Sequence, residues 1–185
     1  AHQIWGYPDQ ARCNSLYDML YQFDPATLRP MPMLAESAEA EDASGTSWII
    51  KLKPDVTFHD GKTLDADDVI FSLQRILDPD TGSSAATTIA TVDPKKLEKL
   101  DDLTLRVGMV KANAIFTEAL AEMRVKIVPV GYDPSKPVGT GPFKYDKFVP
   151  GERSLFIANP DYFGEGPYVD DVEVIDFTDD TSRIN

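Results

Sequence analysis

The sequence is poor in cysteine and in positive charge, and each scarcity excludes a kind of chemistry. Cys13 is the only cysteine among 185 residues, so a single chain can form neither an intramolecular disulfide nor a thiolate metal cluster. Eighteen lysines and arginines stand against 31 aspartates and glutamates, which gives a formal net charge of -13. Phosphate backbones and anionic lipid surfaces would repel such a chain, so we expect no nucleic-acid partner.

Long apolar runs and the motifs of common enzymes are also missing. No run reaches the length of a membrane span, and the first residues, AHQIW, lack the regions of a signal peptide. We therefore expect any export signal or lipid anchor to have been removed, or never to have existed. His2 lies near a terminus and His59 in a turn, and there is no G-x-S-x-G elbow, phosphate-binding loop or H-E-x-x-H zinc motif. The expectation is a protein without catalysis, metal or cofactor.

Apolar patterns predict one compact α/β unit that mixes short strands and helices. Asp65 followed by Asp68 predicts a capped helix with an apolar face, which ends at Asp78-Pro79. In adjacent acidic pairs such as Asp67-Asp68 the side chains diverge, so we expect caps and solvated faces rather than joint sites. Helices are also predicted over 15–23, 114–123 and from 179 onward, strands over 47–52, 56–58, 103–109, 126–130, 143–149, 154–158 and 172–177, an acidic turn over 36–45, and a loop or short helix over 81–90.

Several segments resemble one known family. WIIKL at 48–52, VTFHDGK at 56–62 and ADDVIFS at 66–72 resemble the strand, F-H-D-G turn and A-E-D-V-x-F-S helix of extracellular solute-binding protein family 5. This family comprises the dipeptide-, oligopeptide- and nickel-binding proteins of ABC importers. Four more segments resemble further elements of the family and occur in the expected order: LYDML at 16–20, MLAES at 33–37, GTGPF at 139–143 and NPDYF at 159–163. The chain is therefore identified as a member.

The resemblance implies an α/β (mixed α+β) fold of the periplasmic-binding-protein-like class II, with this chain as part of one lobe of a two-lobed clamshell. Residues 1–44 would start the core subdomain of lobe I, 45–167 would form its peripheral subdomain, and 168–185 would return to the core before a second lobe. A peptide or other small molecule would be captured between the lobes and delivered to a membrane ABC permease. The protein would be a periplasmic or extracellular monomer, with a lipoprotein anchor as one option for the full-length form.

The resemblance also implies where a ligand would be contacted. An aromatic side chain that family members place after the A-E-D-V helix corresponds to Ala85, which cannot stack on a ligand and would leave a roomier pocket. Arg124 corresponds to an arginine that contacts ligand carboxylates in nickel-chelate-binding members, and a guanidinium suits that role. A surface role for Arg124, balancing the acidic chain, stays open. Met123 beside it and Gln10, just before the first predicted helix, complete the expected ligand-binding set.

Three functions stay open from the sequence alone. The first is capture of an oligopeptide or a similarly sized polar solute. The second is capture of a nickel chelate or an oligosaccharide on the same fold, which an aromatic-rich cleft would favour. The third is a stand-alone, non-catalytic interaction or sensor domain built from this lobe.

Overall fold

The computed structural model describes residues 1–4 and 6–177, and its regular elements alternate between short helices and antiparallel strands. The helices are α1 (Tyr7–Leu16), α2 (Ala66–Leu77) and α3 (Phe116–Leu120). The strands are β1 (Tyr21–Phe23), β2 (Pro30–Pro32), β3 (Ala35–Ala40), β4 (Ser47–Leu52), β5 (Val92–Asp101), β6 (Thr104–Met109), β7 (Phe143–Val149), β8 (Arg153–Ala158) and β9 (Asp171–Ile175). The helix predicted from residue 179 onward lies outside the described residues.

The described strands form a four-stranded sheet in the order β3-β4-β6-β5, a three-stranded sheet in the order β7-β8-β9, and a β1-β2 pair. Alternate residues of β4 enter the main core: Trp48, Ile50 and Leu52 are all buried. The Trp48 ring meets the Phe116 ring edge-on, with 5.6 Å between the centroids. The predicted place of Trp48 in the core is therefore confirmed.

Helix α2 covers the four-stranded sheet, and its ends follow from local residues. The Asp65 carboxylate accepts the Asp68 N–H, and the Asp68 carboxylate accepts the Asp65 N–H, both at 3.1 Å. This reciprocal pair satisfies two donors that a helix start leaves free. Val69 and Ile76 are fully buried on the sheet side, and the backbone turns to an extended conformation at Asp78. The predicted capped helix and its end are confirmed.

The G-T-G corner at 139–141 lies against the end of α1. A Cβ atom on Gly139 would come within 2.0 Å of the Leu16 carbonyl oxygen, and one on Gly141 within 2.6 Å of the Leu16 carbonyl carbon. Only glycine permits this close approach of two backbones. His59 fastens the corner, since its Nε2 donates to the Gly141 carbonyl at 2.9 Å and its Nδ1 accepts the Gly139 N–H at 3.3 Å.

Some predicted elements are displaced or of the wrong type. The helix predicted over 15–23 is wrong, because α1 begins at Tyr7 with Pro8 in its first turn and ends at Leu16. Residues 21–23 instead form β1, in which Tyr21 pairs with Pro32. Pairing with the nearby strand β2 therefore overrides a helical spacing of apolar residues.

Strand pairing also corrects other predictions. The first half of the acidic turn predicted over 36–45 belongs to β3, which pairs with β4. Strand β5 was not predicted, because Pro94 and a run of charged residues hide its pattern. The strand predicted over 56–58 is reduced to one bridge between Thr57 and Thr63, and the helix predicted over 114–123 shortens to α3.

Two strand pairs link segments on either side of the subdomain boundaries expected from the sequence. Strand β3 pairs with β4 across the expected boundary at 44/45, and β8 pairs with β9 across the one at 167/168. A second apolar core joins the three-stranded sheet to the end of α1, through Leu16, Tyr17, Val128 and Phe156. None of the described helices is both long enough and apolar enough to cross a membrane.

The capping pair of α2 gives a direct test of the fold. Asp65→Ala removes the carboxylate that accepts the Asp68 N–H, so the free energy of unfolding should fall by about 1 kcal/mol. Asp67→Ala is the matched control, because Asp67 lies in the same turn but is exposed and bonded only to Lys99 at the surface. Urea unfolding followed by circular dichroism measures both. Equal losses in the two variants would contradict the capping role.

Candidate ligand-binding site

A polar cavity of about 570 Å³ lies beside the end of α3. It is lined by Ile4, Gln10, Ser83, Ser84, Thr87, Glu122, Met123 and Arg124. These residues come from the N-terminal segment, the first turns of α1, the turn segment between α2 and β5, and the segment that follows α3. The structure thus brings Gln10, Met123 and Arg124 of the expected set to one cavity.

Ala85, the remaining residue of the expected set, does not line the cavity. Its side chain is fully buried in the main core, and its N–H donates to the Ser83 hydroxyl at 3.1 Å. Ser83, Ser84 and Thr87 of the same segment line the cavity instead. The resemblance missed them because an offset of one residue in a turn changes which side chain faces outward. The run of small hydroxyl residues was the available signal.

Arg124 is held by two bonds that leave part of its guanidinium unengaged. Its Nε donates to Glu122 Oε1 at 2.9 Å, and its Nη1 donates to the Ser84 carbonyl at 3.0 Å. The other Glu122 oxygen accepts the backbone N–H of Arg124 at 3.2 Å. The Arg124 side chain is 34% exposed, and no acceptor from residues 1–4 and 6–177 lies on Nη2. The guanidinium is therefore oriented in advance, with donors left for a carboxylate.

The segment after α3 is buried but irregular, so its backbone polar groups need side-chain partners. The Ser72 hydroxyl accepts the Val128 N–H at 2.9 Å and lies 3.0 Å from the Val128 carbonyl. The Asp68 carboxylate accepts the Val130 N–H at 2.8 Å. Both partners belong to α2. The strand predicted over 126–130 is therefore wrong, because helix side chains replace a neighbouring strand.

Buried polar groups at the N-terminus hold the same segment. The Nε2 of His2 donates to the Lys126 carbonyl at 2.8 Å, while its Nδ1 accepts from Arg75 at 2.8 Å. Burial lowers the pKa of His2 to about 3, so the ring stays neutral. The Lys126 ammonium donates to Asn14 Oδ1 at 2.8 Å and to the Tyr17 carbonyl at 3.1 Å, and burial lowers its pKa to about 8.

Asp18 joins this segment to the rest of the fold. Its carbonyl accepts the Ile127 N–H at 3.0 Å. Its buried carboxylate accepts a bond from the Thr140 hydroxyl at 3.0 Å, and the nearby Tyr162 hydroxyl also favours its charged form. Burial raises the pKa of Asp18 to about 6, because removing the carboxylate from water disfavours its charged form more than these bonds favour it. Asp18 thus connects the segment that follows α3 with the corner before β7 and with the loop after β8.

The comparisons with known proteins agree on one family. A family model described as bacterial extracellular solute-binding proteins, family 5 Middle, matches residues 29–185. Di/tripeptide-binding protein 4 of Pseudomonas aeruginosa is 30% identical over 189 residues, which cover 88% of this chain and 35% of that protein. Oligopeptide-binding protein AppA of Bacillus subtilis is 33% identical over 172 residues, which cover 86% of this chain and 31% of that protein.

Solved structures agree with the sequence comparisons. The AppA structure from Bacillus subtilis in complex with a nonapeptide superposes with a TM-score of 0.86 at 29% identity, over 98% of this chain and 38% of that one. The binding protein AgaA in complex with agropinic acid gives a TM-score of 0.87 at 26% identity, over 97% of this chain and 37% of that one. The fold is therefore that of a periplasmic binding protein of the expected mixed α/β class. The chain belongs to bacterial extracellular solute-binding protein family 5, and it spans about 35% of the length of the first curated relative that it matches.

The raised pKa of Asp18 predicts a pH-dependent contribution to stability. The folded pKa, about 6, lies above the ordinary value of 3.8. The contribution is therefore fully present below pH 4 and is lost as the pH rises through 6. Asp18→Asn keeps an acceptor without a titrating group. The free energy of unfolding of the wild type should fall relative to that of the variant by roughly 2–3 kcal/mol between pH 4 and pH 7.

Urea unfolding of both proteins across this range measures the difference, and subtracting the variant removes the opposite titration of His2. A difference that stays constant with pH would contradict the assignment.

Proposed function

We propose that this chain forms one wall of the ligand cleft in the substrate-binding component of an ABC-type importer. The protein captures an oligopeptide or similar small polar solute outside the membrane and delivers it to the permease. The observation that carries the proposal is the gathering of Gln10, Met123 and Arg124 around one polar cavity. Membership of the family supports it, as do relatives named for the binding of di/tripeptides and oligopeptides.

The chemistry of the cavity suits a peptide. Hydroxyl groups from Ser83 and Thr87 can bond to peptide amides, and the unengaged edge of Arg124 can bond to a carboxylate. The side chain of Met123 is 41% exposed and offers an adaptable apolar contact for varied side chains. Such a wall binds polar main-chain groups while tolerating different residues.

A binding role without catalysis is part of the proposal. Both ring nitrogens of His2 are engaged by Lys126 and Arg75, and both ring nitrogens of His59 are engaged by the G-T-G corner. A general base needs a nitrogen within reach of its substrate. The bonds of both histidines instead serve the fold.

The organisation of the full-length protein is also proposed. We propose that residues 1–44 start the core subdomain of lobe I, that residues 45–167 form its peripheral subdomain, and that residues 168–185 return to the core before a second lobe. The protein acts as a monomer in the periplasm or outside the cell, free or held by a lipid anchor. Its net charge of -13 disfavours nucleic acid as a partner.

Native mass spectrometry tests the function directly. The natural gene product, purified from its own cells without refolding, should carry an adduct with the mass of a short peptide, because a closed clamshell retains its ligand. Fragmentation of the released adduct should give amino-acid residue masses. An adduct with the mass of a metal chelate or a sugar would assign the ligand to that class instead of the peptides. A protein that binds no peptide after its ligand has been removed would contradict the proposal.

Arg124→Gln tests the proposed contact. In the full-length protein it should weaken binding of trialanine by about tenfold or more, because a charge-assisted hydrogen bond is lost. Arg29→Gln is the matched control, since Arg29 is an exposed arginine outside the cavity. Isothermal titration calorimetry measures both. If Arg124→Gln binds trialanine as tightly as the wild type, Arg124 has a purely structural role and does not contact the ligand.

A further inference from the structure

Ser84 is fixed through its backbone but unsatisfied in its side chain. Its N–H donates to the His2 carbonyl at 3.2 Å, and its carbonyl accepts the Arg124 guanidinium at 3.0 Å. Its hydroxyl oxygen is buried, yet it has no hydrogen-bond partner within residues 1–4 and 6–177. Buried polar groups in folded proteins almost always have partners. An unpartnered hydroxyl on the wall of a cavity therefore calls for a ligand or another explanation.

The neighbouring serines show that this hydroxyl is not required locally. The Ser83 hydroxyl accepts the Ala85 N–H at 3.1 Å and so already makes the side-chain bond of this turn. In α2, the Ser72 hydroxyl is bonded to the Val128 backbone. An alanine at position 84 would leave no described bond unmade. The buried hydroxyl therefore lowers the stability of the unliganded fold, because no described hydrogen bond compensates for its removal from water.

The geometry points to Ser84 as a specificity-determining residue: we propose that its hydroxyl and the Nη2 edge of Arg124 together bind one carboxylate of the ligand. This inference rests on the proposed function of the cavity. Ser84 thus supplies one donor and, together with Glu122, holds the guanidinium that supplies the other.

The hydroxyl can reach a ligand without movement of the main chain. A serine side chain rotates about a single bond between staggered positions, so its donor can turn from the wall toward the cavity. The backbone of Ser84 stays held at both its N–H and its carbonyl. A bond from a hydroxyl to an ionised carboxylate is short and strong, which would compensate for the missing partner in the unliganded state.

Calorimetry on the full-length protein with trialanine and trialanine amide tests the inference. Ser84→Ala should lower the affinity for trialanine about tenfold, while the affinity for the amide should change little, because the amide lacks the carboxylate. Ser15→Ala is the matched control, since the exposed Ser15 hydroxyl bonds only to its own helix at Ala11. The melting temperature of unliganded Ser84→Ala should not fall, a result that a structural role for the hydroxyl would not give.

Each outcome decides between the two proposals. If the wild type binds neither probe, the proposed peptide function fails and the role of Ser84 fails with it. If the wild type prefers the acid and Ser84→Ala keeps the full preference, only the role of Ser84 is overturned. Equal weakening of both probes would also overturn the carboxylate assignment. In an Arg124→Gln background, Ser84→Ala should lower the affinity for trialanine much less, since the two donors share one ligand group.

Discussion

The need of a buried, irregular backbone for hydrogen-bond partners governs this lobe. The segment that follows α3 passes through the interior without a neighbouring strand, so its N–H and carbonyl groups would be orphaned if side chains did not reach them. Asp68 and Ser72, on one face of α2, supply two of the contacts. The same Asp68 closes the capping box of the helix. The start of α2 and the course of the segment that follows α3 are therefore determined together.

The interior contains titratable groups that do not form close ion pairs with one another. Asp18 and Lys126 are both buried, and each is satisfied mainly by neutral hydroxyl, amide or carbonyl partners. Burial shifts their pKa values in opposite directions, toward the neutral form in both cases. In their charged forms such groups add no net stability, because removing the charge from water costs more than their bonds return. Their effect is to select one arrangement of the segments that they join.

The parts of the fold that were predictable from the sequence have local signals. Helix α2 is specified by its own capping pair and apolar face, and the β7–β8 hairpin by the turn at Pro150-Gly151 between two short strands. Strands β3 and β5 lack such signals, since their residues are small or charged and become strands by pairing with β4 and β6. Propensity is a weak guide where tertiary pairing decides.

The candidate site was predictable to a similar degree. The resemblance selected Gln10, Met123 and Arg124, which the fold brings to one cavity. Ala85 faces the core, because the direction of a side chain in a turn depends on bonds such as the one from its N–H to Ser83. The unsatisfied hydroxyl of Ser84 could not be read from composition or spacing. It follows from which neighbouring serines are already engaged.

The segment that follows α3 has an inner side that stabilises the fold and an outer side that lines the cavity. Its inner groups are bonded to α2, to the N-terminal segment and to Asp18, whereas its outer side chains surround the cavity. A change at Met123 or Thr87 alters the shape offered to a solute while the bonds that fold the chain stay intact. Substitutions at such positions can therefore change which solute is bound during evolution while the fold is conserved, because, among the described residues, these side chains make no bond that the fold needs.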